Sequence, residues 1–98
     1  MRLTPQEIAA IRRAVREVFG EAATVRLFGS RIDDSARGGD LDLFIELAPG
    51  QATVEAERAL RDRIEPAIDD LRLDIVVHER GRPLPAIGQI AVRDGVLL

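Results

Sequence analysis

The 98-residue chain is predicted to fold as a small α/β (α+β) domain, a mixed β-sheet with helices packed on it. Three observations predict it. Segments with apolar residues at helical spacing alternate with segments in which they recur every second residue. Gly and Pro punctuate the boundaries between them. The length suffices for one modest core and not for two, so residues 1–98 read as a single domain.

The first element is a helix. Thr4-Pro5-Gln6-Glu7 has the form of a capping box with proline at the first helical position, and Ile8, Ile11, Val15, Val18 and Phe19 follow at helical spacing until Gly20 stops the turn. Residues 24–28, TVRLF, read as a short strand that Gly29-Ser30 breaks, with Ser30 placed to cap a short helix from Arg31. Arg37-Gly38-Gly39 then releases the chain into a second strand, residues 40–47. There Leu41, Leu43, Ile45 and Leu47 share one face, and Asp40, Asp42, Phe44 and Glu46 share the other.

Pro49-Gly50 marks a turn. Val54, Leu60, Ile64 and Ile68 predict a second long helix, which Pro66 is expected to kink or end by removing a hydrogen bond. A third strand over residues 71–78 sets Leu71, Leu73, Ile75 and Val77 on one face and Asp74 with Val76 on the other. The loop GRPLP, a short helix over 85–92 and a last strand over 96–98 complete the chain. Whether that last strand joins the core or forms an exposed edge is left open by its sequence.

Composition excludes several kinds of chemistry. There is no cysteine, which removes disulfides, thiolate metal sites and cysteine nucleophiles, and the single His78 removes a multi-histidine site. A bound metal must be held by oxygen, which favours a hard cation such as Mg2+. A net charge of -3, no Trp or Tyr and only three Phe argue against direct nucleic-acid binding through a basic groove and aromatic stacking. No apolar run approaches the roughly 20 residues that cross a bilayer, and the N-terminus lacks a signal-peptide core, so the expected compartment is the cytoplasm, away from membranes. Arg12, Arg13 and Arg16 read as the solvated side of the first helix, and His78 as a surface residue at a strand end.

The informative stretch is LFGSRIDDSARGGDLDLFIEL, residues 27–47. Carboxylates held side by side repel and resist burial unless a cation compensates. On a strand, Asp40 and Asp42 point the same way from Cα atoms about 6.5–7 Å apart, a spacing suited to gripping a pair of divalent ions. Asp74 completes the set if its strand is a neighbour, whereas Glu46 lies farther along the strand from Asp40. Gly29 allows close backbone approach to a phosphate, with the Ser30 hydroxyl and the amides beyond it as donors and Arg31 as a further phosphate contact.

The apolar-Gly29-Ser30 pair, nine residues and then Asp40-Leu41-Asp42-Leu43 resemble the signature of the DNA polymerase β nucleotidyltransferase superfamily. In so short a chain they most resemble the minimal nucleotidyltransferases that partner HEPN-domain toxins in prokaryotic toxin-antitoxin pairs. Many relatives carry serine just before the first acid, where this chain has Gly39. The resemblance implies a polymerase β-like fold and transfer of a nucleoside monophosphate, AMP from ATP, to a hydroxyl. It implies two Mg2+ ions held by Asp40 and Asp42, with Asp74 sharing the catalytic one. Gly29 and Ser30 would hold the β and γ phosphates. The implied acceptor is a tyrosine of a partner HEPN toxin in a hetero-oligomer; this chain, lacking tyrosine, cannot modify itself at one. The alternatives are a subunit that neutralises its partner by contact alone, and a transferase acting on a small molecule such as an aminoglycoside.

Overall fold

The computed structural model describes residues 3–29, 40–68 and 72–98. Helix α1 spans Pro5–Phe19, and its start is fixed by a capping box: Thr4 Oγ1 accepts from the Glu7 amide at 3.1 Å, and Glu7 Oε1 accepts from the Thr4 amide at 2.8 Å. Gly20 ends it at φ 87°, a left-handed conformation that side chains other than glycine resist.

Strand β1 covers Thr24–Phe28 and strand β2 covers Asp40–Leu47. Helix α2, Val54–Ile64, is capped by the Thr53 hydroxyl and gives way to a single 3-10 turn at Glu65–Ala67. Pro66 lies in that turn and ends the helix as its missing N–H requires. Strand β3 spans Arg72–Glu79, helix α3 Ala86–Asp94 and strand β4 Val96–Leu97. Helix α3 thus runs two residues beyond the predicted 85–92, because Gly95 and not Val92 provides its C-terminal stop. The proposed Ser30 cap, the helix from Arg31 and the Arg37-Gly38-Gly39 release lie outside the described residues.

The sheet is mixed, in the order β3-β2-β1-β4. β1 runs antiparallel to β2 and to β4, whereas β2 and β3 are parallel, joined by the crossover through α2. The two faces of β2 differ in kind. Leu41, Leu43, Ile45 and Leu47 are completely buried against Ile11, Val15 and Phe19 of α1 and Leu60 and Ile64 of α2. Each such side chain contributes about 1.5–3 kcal/mol of transfer free energy, so this core dominates stability. On the opposite face Phe44 is also fully buried, under α3, in a second cluster with Phe28 and Ala91. Helix α3 approaches closely because Gly88 has no side chain; a Cβ there would come within 3.1 Å of the Phe44 ring.

The β4 strand is an exposed edge, with Leu97 58% accessible, whereas Leu98 just beyond it packs partly against the main core, so the segment left open by its sequence divides between the two. Arg12, Arg13 and Arg16 are exposed as expected. His78 is not: its side chain is only 10% accessible, a correction to its reading as a surface residue, because the turn after β3 folds back over it. Among the described residues, no helix is long and apolar enough to cross a membrane.

Candidate functional site

The period-2 alternation of β2 puts Asp40, Asp42, Phe44 and Glu46 on the face that α3 half covers. Phe44 fills the middle of that face and leaves acidic side chains at either end. At the end nearer the start of β2, the register brings three acids together: Asp42 pairs with Asp74 on β3, and Asp40 pairs with Arg72. In-register neighbours on adjacent strands sit about 4.8 Å apart, so Asp42 and Asp74 share one face side by side.

Their proximity is visible in the protonation of Asp42. Its pKa is raised, first by burial, then by the negative charges of Asp74 and Asp40 and by a hydrogen bond shared with Asp74. Arg72 acts the other way, its Nε 3.6 Å from Asp74 Oδ1. That ion pair is open to solvent, with the Arg72 side chain 77% accessible, so its contribution is small. Arg72 escaped the sequence reading, although its place two residues before Asp74 puts both on one strand face.

Gly29 follows directly on β1, whose Phe28 pairs with Asp42. It adopts φ +77°, and a Cβ built on it would collide with Asp42 Oδ2. The positive φ favours glycine, and a Cβ would in addition oblige the Asp42 carboxylate to turn away, because the backbone of the β1 end lies directly against it. Ser30 and Arg31, the other expected phosphate contacts, lie outside the described residues.

The donors present are all carboxylate oxygens, the type a hard divalent cation takes, and a cation among them would relieve the repulsion that raises the Asp42 pKa. Among the described residues the side chains are not gathered into a group of three or more that could grip an ion as they stand. The strand register thus sets Asp42 beside Asp74, with Asp40 two residues along the same face.

Glu46, four residues from Asp42, belongs to a different cluster: Arg26 Nη1 donates to its Oε1 at 2.8 Å, and His78 is its in-register partner. A separate groove of about 340 Å3 is lined by Arg12, Arg16, Val15 and Val25 together with Leu97 and Leu98, and none of the three acids borders it. No protein-family model and no curated protein matches the chain.

Proposed function

We propose that this protein is a Mg2+-dependent nucleotidyltransferase of the polymerase β-like kind, moving AMP from ATP to a hydroxyl of a partner protein in the cytoplasm. The observation that carries the reading is the in-register pairing of Asp42 with Asp74, with Gly29 seated against the Asp42 carboxylate. A structural sheet has no use for two like charges side by side on its half-buried face.

In this reading Asp40, Asp42 and Asp74 hold the divalent ions, and the Gly29 amide and Ser30 hydroxyl hold the triphosphate tail, assisted by Arg31. Bound Mg2+ would supply positive charge to the α-phosphate and to the departing pyrophosphate. Asp74 takes up the proton of the attacking hydroxyl. That oxygen bonds to the α-phosphorus as the bond to the β-phosphate oxygen breaks, so AMP is transferred and pyrophosphate leaves. The partner suggested by the resemblance is a HEPN-type toxin.

The first test is the thermal midpoint with and without Mg2+ and ATP, beside Asp40→Asn/Asp42→Asn. Ligand at about ten times its dissociation constant adds roughly 1.4 kcal/mol, which moves the midpoint of a domain this size by several degrees. A shift that needs Mg2+ and vanishes in the variant supports the reading. Label from α-labelled ATP should then appear on the partner and not on this chain.

The exposed Ile87, Ile90 and Leu97 favour one second reading, a subunit that acts on its partner by contact alone. Asp42→Asn separates the two: neutralisation of the partner survives if contact suffices and is lost if transfer is required.

A further inference from the structure

At the far end of the same sheet face, beyond Phe44, lies a largely covered polar side chain that nucleotidyl transfer does not use. The His78 side chain is 10% accessible, and its ring stacks on Phe44 at a centroid distance of 6.1 Å. Nε2 lies 3.0 Å from the carbonyl oxygen of Arg82, in the turn that leads from β3 to α3. A carbonyl only accepts, so Nε2 carries the hydrogen, and in the neutral ring Nδ1 is a bare lone pair. That Nδ1 is buried and has no hydrogen-bond partner among the described residues. Glu46 Oε2 lies 3.6 Å away and is itself an acceptor. The neutral ring therefore sets two acceptors against each other.

One proton removes the conflict. Protonated at Nδ1, His78 can donate to Glu46 Oε2 without giving up its bond to Arg82. The surrounding charges allow this. On β2, Glu46 keeps its other oxygen on Arg26 of β1 at 2.8 Å, which leaves Oε2 toward the ring. At the end of β3, Glu79 is held by Arg82 Nε at 3.0 Å, and in the turn Arg80 donates to Thr24 Oγ1 on β1 at 3.3 Å. On α3, Arg93 and Asp94 pair with each other at 2.8 Å.

We propose that His78 is a proton-operated latch between the sheet and the turn carrying α3: a proton gained at Nδ1 adds a bond to Glu46 while Nε2 stays on the Arg82 carbonyl. The latch ties β1, β2 and the α3 turn into one chain, Arg26-Glu46-His78-Arg82. Because α3 seats on Phe28 and Phe44, its hold on the face that carries Asp42 becomes dependent on pH. The inference is independent of nucleotidyl transfer.

The chain has a single histidine, so its ring resonances are unambiguous. The test is 15N NMR of that ring from pH 8 to pH 5, together with amide-exchange protection factors, corrected for intrinsic rates, in the 80–85 turn and α3. The expected result is an Nε2–H tautomer at pH 8, and protection of the turn and α3 that rises several-fold on protonation. In Glu46→Gln, protection should lose most of this pH dependence. An Nδ1–H tautomer at pH 8 overturns the proposal, as does protection that ignores the titration or follows it equally in Glu46→Gln. The tautomer measurement needs only the wild-type chain, so a poorly folding variant does not remove the test.

Discussion

Asp42 and Asp74 face one another as in-register partners across the parallel β2–β3 pair, with the Gly29 backbone closing on Asp42 from the other side. This three-way contact makes the acidic end of the sheet a candidate site, and it carries consequences for stability that can be measured without any substrate.

Asp42 has a raised pKa, so in the folded, cation-free protein its ionisation is disfavoured relative to the unfolded chain. For an acid with that sign, the folded state loses stability as pH rises from the unfolded value near 3.9 through the raised folded value. With divalent ions chelated, Asp42→Asn is expected to be more stable than wild type at pH 7, by under about 1 kcal/mol given the solvent access of the pair. The advantage should disappear at pH 3. Thermal midpoints across that range in a chelating buffer provide the check, and a destabilised variant at neutral pH would count against the shared acidic site.

Gly29→Ala meets two obstacles, the left-handed backbone and the Asp42 carboxylate. The backbone alone costs about 1–2 kcal/mol. Collision with Asp42 adds to it, so the double variant Gly29→Ala/Asp42→Ala should lose less than the sum of the two singles. Urea denaturation of the four proteins measures the coupling, and strict additivity would show that the two residues do not touch.

Phe44 is fully buried between the sheet and α3. Phe44→Ala is expected to cost about 3–5 kcal/mol, through lost transfer free energy and the cavity left behind. Exchange protection in α3 should fall first, since α1 and α2 pack on the opposite face. Uniform loss across all three helices would mean that the two cores unfold together.

Glu79 has a lowered pKa because Arg82 and the Ala52 amide donate to it. An acid with that sign stabilises the fold above its unfolded value, and the contribution is lost as pH falls through the lower folded value. Glu79→Gln should therefore be less stable than wild type at pH 6 and equal to it near pH 2. This window lies below the one in which a histidine titrates, so the two effects separate in one pH series of thermal midpoints.

Local sequence determined the kinds of elements and the faces of the strands. The capping box at Thr4, the stop at Gly20 and the break at Pro66 depend on neighbours a few residues away, so they are legible along the chain. Period-2 alternation placed Asp40 and Asp42 together for the same reason, and the absence of cysteine with only one histidine directed any metal site to oxygen donors. Tertiary structure decided everything that depends on register. Asp74 faces Asp42, and not a residue two positions away, because the α2 crossover and the buried leucines set how β3 slides against β2. Burial of Phe44 and of His78 was likewise invisible, since a strand face reads as half polar until α3 and its turn fold over it. Local chemistry writes which way a side chain points; only long-range packing decides what it meets.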